Sequence, residues 1–300
     1  MWLTLAFTAP VLWAISTHID KYLVQRFFAD SSVSVLLIFT ALIGILPLPL
    51  IAYLQPQVFA ISAVAMAAAS SAGVLYMGAM YFYLGALQGE EASVVAPLFQ
   101  ASPLFACLLA FLVLGERLTA IQLLGGGLIL ASAIAISIDP RARLRFKPRL
   151  IFLMLACDIA LAASSVIFKL LALEGAFWTT TFWVFAGEAL FGAGLAANAS
   201  VRQQFRHMFA ANPGAIVGIN AANELINLGG GLLARYAFML GSIGLTQAIT
   251  STAPFFVFLI GVGLSLFYPG LGREDLSRGN LMRKGFAAGL VIVGVILVTR

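Results

Sequence analysis

Long apolar runs alternate with short polar turns along nearly the whole chain. Most runs reach the roughly 20 apolar residues that an α-helix needs to cross the hydrocarbon core of a bilayer. The pattern predicts ten spanning helices: Trp2–Leu23, Val33–Leu54, Ile61–Leu87, Ala92–Leu114, Ala120–Ile138, Leu150–Leu173, Phe177–Ala197, Ala215–Met239, Ile243–Phe267 and Gly285–Val298. The last span is short unless its helix begins nearer Leu281.

Composition points to the same class of protein. The chain is 62% hydrophobic and 10% charged, whereas a soluble domain carries roughly 25% charged residues. So much apolar surface needs lipid as its solvent, and we expect an all-α, multi-pass integral membrane protein. The net charge of +5 comes from basic residues that lie mostly in loops, as membrane insertion requires. Nucleic acid is therefore not an expected partner.

Two halves of the chain carry matching features. Lys169 follows Lys21, and Pro254 follows Pro103, by about 150 residues in each case. The spacing predicts a duplicated five-helix unit. Because five is odd, the second copy would cross the membrane in the opposite sense, as in carriers with a substrate site near the midplane. The predicted units are residues 1–139 and 150–300, with a basic linker at 140–149.

One combination of motifs resembles a known family. Trp13 and Lys21, then Pro103-Leu104-Phe105, the turn Leu114-Gly115-Glu116-Arg117-Leu118 and a helix opened by glycines at Gly125 are similar to the EamA domain of the drug/metabolite transporter superfamily. In the second half, only Pro254 and the glycines match well. The resemblance implies a ten-helix carrier, often an exporter of amino acids or other small metabolites. We expect it in the bacterial cytoplasmic (inner) membrane.

Charge and resemblance imply opposite orientations. If there are ten spans, the loops that follow the fifth, seventh and ninth share one face. The positive-inside rule places this face in the cytoplasm and both termini outside, whereas the resemblance implies cytoplasmic termini; we favour the charge rule. The basic residues of these loops are Arg141, Arg143, Arg145, Lys147, Arg149, Arg202, Arg206, Arg273, Arg278, Arg283 and Lys284.

The eighth span carries a polar stripe. Asn220, Asn223, Glu224 and Asn227 follow one another at spacings that place them on one helical face. A charged group near the bilayer centre costs roughly 2.5–3.5 kcal/mol on insertion scales. Such a stripe therefore needs a wet cavity or a partner helix. We favour a substrate cavity, and the alternative is a seam of interhelical hydrogen bonds.

Three intramembrane acids are candidates for proton coupling. Glu224 leads because it belongs to the stripe, and Asp158 and Glu188 lie deep in the sixth and seventh spans. A carboxyl group at that depth can carry a proton between the two faces of the membrane. Each acid could instead be a structural hydrogen-bonding group or pair with Lys169 or Arg235.

Other polar positions are candidates for substrate binding. Lys21 and Lys169 lie near span ends, where they could attract an anion or extend toward head groups, and His18 shares a face with Lys21. Pro103 and Pro254 each free a carbonyl about four residues earlier, which makes their surroundings binding sites or plain packing kinks. The neighbouring candidates are Gln100, Gln247 and Thr250, and Tyr76 could line an aromatic wall.

Enzyme and metal signatures are missing from the sequence. We find no P-loop, dinucleotide-binding, hydrolase or zinc-protease motif. Two histidines without a Cys-His spacing give metal binding no support, and no cofactor is expected. Cys107 and Cys157 lie inside apolar spans as small buried side chains rather than a disulfide.

The sequence thus predicts a secondary active transporter of small metabolites that works by alternating access. Its expected partners are a small-molecule substrate, the bilayer and protons, and its state a monomer or a homodimer. The alternatives are a flippase for a lipid-linked metabolite and an intramembrane enzyme with paired carboxylates.

Overall fold

The computed structural model describes residues 1–23, 32–89, 92–138, 147–211, 213–267 and 277–299. Regular structure in these ranges is helical, including a 3₁₀ turn at Pro56–Phe59. The α-helices are α1 (Trp2–Leu23), α2 (Val33–Ile45), α3 (Pro47–Leu54), α4 (Ala63–Gly89), α5 (Ala92–Phe99), α6 (Ser102–Leu114), α7 (Ala120–Ser137), α8 (Pro148–Glu174), α9 (Phe177–Ala197), α10 (Ala199–Ala211), α11 (Pro213–Leu240), α12 (Ile243–Thr250), α13 (Ala253–Phe267) and α14 (Arg278–Val298).

The fold is that of a multi-pass membrane protein. Eight stretches of the described residues are long and apolar enough to cross a bilayer. The predicted spans Ala92–Leu114 and Ala215–Met239 are not among them. The first is divided into α5 and α6, and the second forms the 28-residue helix α11, which carries the polar stripe. The count of ten spans therefore stays a prediction.

The prolines interrupt helices where the sequence predicted kinks. Pro103 and Pro254 each occupy the second position of a new helix, α6 and α13. Proline is tolerated there because the first N–H groups of a helix have no intrahelical partner. The predicted span Val33–Leu54 also divides, at Pro47, which begins α3. That break was not predicted.

Two boundaries differ from the prediction. The region between the seventh and eighth spans, which the sequence predicts to be a loop, forms the helix α10. The last helix begins at Arg278 rather than Gly285, so it has 21 residues and is long enough to span. Its extra turns include Arg283 and Lys284, which were assigned to a loop. Of the basic loop residues, Arg141, Arg143, Arg145 and Arg273 lie outside the described residues.

The main helix contacts have a paired pattern. α4 packs along α8 and α9, α1 packs along α11, and α7 packs along α14. If α1 corresponds to α8 and α4 to α11, the α1–α11 and α4–α8 contacts are equivalent, as a duplication would make them. The repeat boundaries at 139 and 150 stay a prediction.

Glycines allow two of these contacts to be close. A Cβ added at Gly187 of α9 would overlap the carbonyl oxygen of Ser70 in α4, and one at Gly73 would overlap that of Val184. Between α7 and α14, an added Cβ at Gly125 would lie 2.6 Å from the oxygen of Gly294. The glycines at 285 and 289, predicted to serve this purpose in the last span, have open space around them.

We predict that Gly187→Ala destabilises the protein by about 1–3 kcal/mol, the usual cost of overpacking. The added methyl group would force α4 and α9 apart because it meets backbone rather than a movable side chain. Thermal unfolding in detergent measures the effect. The matched control is Gly194→Ala on the same helix, where an added Cβ meets nothing within 4 Å. Equal stability of the two variants would contradict the close contact.

Candidate functional site

The polar stripe of α11 is bonded to two other helices. The amide nitrogen of Asn223 donates to Oδ1 of Asp20 in α1 at 2.6 Å. The hydroxyl group of Thr40 in α2 donates to Oε1 of Glu224 at 2.8 Å. Asn227, one turn further along α11, also hydrogen-bonds Glu224. The stripe of α11 is therefore bonded to α1 through Asp20 and to α2 through Thr40.

A buried ion pair continues this face of α11. Arg235 lies eleven residues, or three helical turns, after Glu224. Its Nη2 donates to Oε1 of Glu188 in α9 at 2.6 Å, and both side chains are largely buried. The guanidinium group also lies 5.1 Å from the ring centre of Phe185 and 5.7 Å from that of Tyr76. Charge pairing and aromatic faces thus compensate the loss of water around Arg235.

The two groups are joined along α2. Gly44 follows Thr40 by one turn, and an added Cβ at Gly44 would lie 3.6 Å from Oε2 of Glu188. One face of α2 therefore contacts both Glu224 and Glu188. We call this set the α11 polar ladder: Asp20, Thr40, Glu188, Asn223, Glu224, Asn227 and Arg235.

The ladder covers much of the depth of the bilayer. From Asn223 to Arg235, α11 rises about 18 Å, against a hydrocarbon core of about 30 Å. The ladder includes three carboxyl groups and one guanidinium group. Asp20 is exposed, so the ladder reaches the protein surface near the end of α1.

Unsatisfied polar atoms lie beside the ladder. Among the described residues, Nδ2 of Asn220 and Oδ1 of Asn223 are buried without a hydrogen-bond partner. Buried polar groups in proteins are nearly always paired, with protein or with an ordered molecule. The polar stripe of α11 thus carries one donor and one acceptor without a partner in the fold.

A second polar cluster lies where α12 is interrupted. The amide nitrogen of Gln247 donates to the hydroxyl oxygen of Ser165 at 3.0 Å, and the hydroxyl group of Ser102 donates to Oε1 of Gln247 at 3.3 Å. Thr250 donates to the backbone oxygen of Gln247, and Gln100 is buried at the α5–α6 break. Gln247 therefore joins α12 to α6 and α8.

Asp158 is the most deeply buried of the three predicted proton-coupling acids. It is 1% exposed in α8, and its Oδ1 has no hydrogen-bond partner among the described residues. Ser165 lies seven residues later on the same face of the helix. Asp158 therefore lies along the α8 face that leads to Gln247, away from the contacts of Glu224.

The two lysines and His18 lie in different settings. Nζ of Lys169 pairs with Oε1 of Glu116 and donates to the oxygen of Gly241, both at 2.5 Å. Its ammonium group thus already has partners within the fold.

Nε2 of His18 lies 3.0 Å from the oxygen of Val257 in α13. The side chain of Lys21 lies outside the described residues.

The Gly-Glu turn after α6 explains the position of Glu116. Gly115 has φ = 66°, a left-handed conformation that glycine adopts without a steric penalty. The turn directs Glu116 toward Lys169, and its Oε2 accepts the N–H of Ile243 at the start of α12 at 3.0 Å. We call Glu116, Lys169, Gly241 and Ile243 the end clamp. It joins α6, α8, α11 and α12.

Sequence reasoning missed some partners of the ladder. Asp20 was recognisable as an acid near the end of the first span, but no pattern connected it with Asn223. Nothing in the sequence around Thr40 indicates that it contacts Glu224, since threonines occur in several of the predicted spans. Arg235 was considered as a partner of the buried acids, and it pairs with Glu188.

Within the described ranges, no three His, Cys, Asp or Glu side chains cluster as metal ligands would.

Fold and ladder together define a polytopic helical membrane protein with a row of bonded polar side chains among its helices. The model of the EamA-like transporter family matches residues 1–138. This match, over slightly less than half of the chain, supports the resemblance of the sequence to the EamA domain of the drug/metabolite transporter superfamily. The matched family suggests a membrane transporter of small solutes, and its members are typically non-enzymatic.

A solved crystal structure, described only as that of a protein, has the same fold. It superposes with a TM-score of 0.66 at 18% identity, over 99% of this chain and 96% of its own. At that identity the similarity shows the fold alone. No curated protein matches this chain.

We predict that Arg235→Gln destabilises the protein by about 3–5 kcal/mol, because it leaves Glu188 buried without its partner. The double variant Glu188→Gln, Arg235→Gln should recover much of that loss, since two neutral amides can hydrogen-bond each other. Denaturation in detergent measures both. The control, Arg149→Gln at an exposed position, should stay within about 0.5 kcal/mol. A double variant no more stable than Arg235→Gln would refute a compensating pair.

Proposed function

We propose that this protein is a secondary active exporter of amino acids or related polar compounds that works by alternating access. We place it in the bacterial cytoplasmic membrane. The observation that carries the proposal is the α11 polar ladder, which sets three carboxyl groups and a guanidinium group inside a membrane protein of a transporter family. Ionisable residues inside a membrane are costly to keep, and they characteristically mark substrate or ion pathways.

The chemistry of the ladder suits a zwitterion. The carboxyl groups of Asp20 and Glu224 would attract an ammonium group, and the unpaired oxygen of Asn223 would accept from it. The unpaired amide nitrogen of Asn220 would donate to a carboxylate.

Tyr76 would offer an aromatic face to the side chain of a substrate. Arg235 is compensated by Glu188 and would tune the local charge rather than hold the anion alone.

Glu224 is the proposed proton carrier. It is half-buried, and its neighbours Thr40 and Asn227 can hydrogen-bond either protonation state of the carboxyl group. The charged groups that act on it are Asp20 from α1 and Glu188 from α9, both acidic. Proton and ammonium would therefore compete for the same carboxyl group, which couples their movements. Asp158 is the second candidate, since its carboxyl group has an unpaired oxygen.

The two ends of the ladder suggest how access would alternate. Asp20 is exposed near the end of α1, while the end clamp joins four helices beyond the other end of α11. This arrangement supports a conformation open toward Asp20 and closed at the clamp. The interruptions at α5–α6 and α12–α13 would serve as hinges, because the continuous backbone hydrogen bonding of a helix is already interrupted there, beside Pro103 and Pro254. Breaking the Lys169–Glu116 pair would open the opposite side.

Counterflow in proteoliposomes tests this proposal directly. Vesicles preloaded with one compound from a panel of amino acids and small metabolites should accumulate the labelled form of that compound transiently and saturably. Protein-free vesicles and vesicles with a heat-denatured sample are the controls. Silence across the panel with a folded, inserted protein would overturn the proposal and favour the flippase.

We predict that Glu224→Gln abolishes the response of transport to a pH gradient. The amide keeps the shape of the side chain and the bond from Thr40 but cannot carry a proton. Uptake of a compound identified by counterflow should then stay the same when a gradient is imposed, because the coupling between proton and substrate is lost. Glu174→Gln, at an exposed acid at the end of α8, is the matched control and should keep the response. A wild-type gradient response in Glu224→Gln would exclude the coupling role.

A further inference from the structure

We propose that α10 is a membrane-surface helix whose polar side binds the anionic head groups of phospholipids. The helix has one apolar and one polar side. Val201, Phe205 and Met208 pack against the cluster of Val35 and Phe39 at the start of α2. The rings of Phe39 and Phe205 have centroids 4.8 Å apart. The protein itself thus covers the apolar side of α10.

Its neighbours place α10 at the membrane surface. α9 has 21 residues, about 31 Å of helix, which matches a hydrocarbon core of about 30 Å. α10 begins two residues after α9 ends, and α11 begins two residues after α10 ends. The helix therefore joins the ends of two helices on one face. The side chain of Asn198 accepts the N–H of Ser200 at 3.0 Å and fixes the turn into α10.

The remaining side of α10 has the chemistry of a head-group surface. Gln203, Arg206 and His207 are exposed, and Phe209 is 44% exposed beside them. The helix contains no acidic residue. Basic side chains at a membrane surface attract head groups of opposite charge, and aromatic side chains are enriched at the membrane–water interface. Anionic lipids supply the complementary charge.

Other basic groups lie on the same face. Arg283, near the start of α14, donates to the oxygen of Ile138 after α7 at 2.8 Å, so these ends meet. Arg149 in the first turn of α8 and Arg278 at the start of α14 are exposed. The face is therefore basic beyond α10. Arg202 has a structural contact as well, because it donates to the oxygen of Ala196 at the end of α9 at 3.0 Å. Arg206 is the residue to change.

The test compares two lipids on the purified full-length protein. Native mass spectrometry with equal amounts of phosphatidylglycerol and phosphatidylcholine should show preferential retention of phosphatidylglycerol. Arg206→Gln should lower the ratio of bound lipids about fivefold, as expected for one basic group near an anionic surface. Arg206→Lys should retain it, and Arg117→Gln, at an exposed position beside the end clamp and far from α10, should lower it much less. Equal retention of both lipids by the wild type would overturn the proposal, as would equal losses in Arg206→Gln and Arg117→Gln.

A second measurement decides the case if Arg206→Gln does not fold. Phosphatidylglycerol should raise the thermal stability of the wild type more than phosphatidylcholine does, because a ligand of the native state stabilises it. The difference should shrink between about 20 mM and about 500 mM salt, since exposed charges are screened. A difference that salt does not change would contradict binding through head-group charge.

Discussion

The architecture depends on the pairing of charges that lipid cannot solvate. Arg235 and Glu188 are held at 2.6 Å between α11 and α9, and Glu224 is held by Thr40 of α2. A single charge at the bilayer centre costs roughly 2.5–3.5 kcal/mol on insertion scales. Because each partner comes from a different helix, satisfying these groups fixes how the helices are arranged. The pairing that makes the ladder tolerable in hydrocarbon also assembles the candidate site.

Packing elsewhere holds these pairs in register. Gly187 precedes Glu188, so the close contact of α4 with α9 also sets the position of the acid that meets Arg235.

Phe39 precedes Thr40, so the docking of α10 on α2 supports the hydroxyl group that meets Glu224. Beyond the last turn of α11, the end clamp closes the bundle through Glu116, whose position depends on the left-handed Gly115. Backbone contacts thus align the charged groups.

The sequence predicted the features that have a local physical signature. The periodicity of Asn220 to Asn227 placed them on one face, and the prolines at 103 and 254 marked helix breaks, because each effect depends on a few neighbouring residues. The fold class followed from composition. Partners from distant parts of the chain, such as Asp20 and Thr40, could not be predicted, since nothing in their own surroundings indicates what they meet. The helix α10 was not predicted, because a search for apolar runs of about 20 residues does not detect a short amphipathic helix.

The most direct test of the account is a cysteine scan along α11 from position 220 to 235. The background replaces Cys107 and Cys157 with alanine, and the full-length protein is reconstituted in liposomes. A charged thiol reagent reacts only where water reaches the thiol. If substrate moves along the ladder, reactivity should vary with a period of about 3.6 residues, with maxima at 220, 223, 224, 227 and 231, and a transported compound should protect these positions. Leu225, exposed on the outer side of the helix, should be unreactive as cysteine. If the cysteines at these five positions do not react under any condition, the ladder is a dry seam between helices, and that result would contradict transport along it.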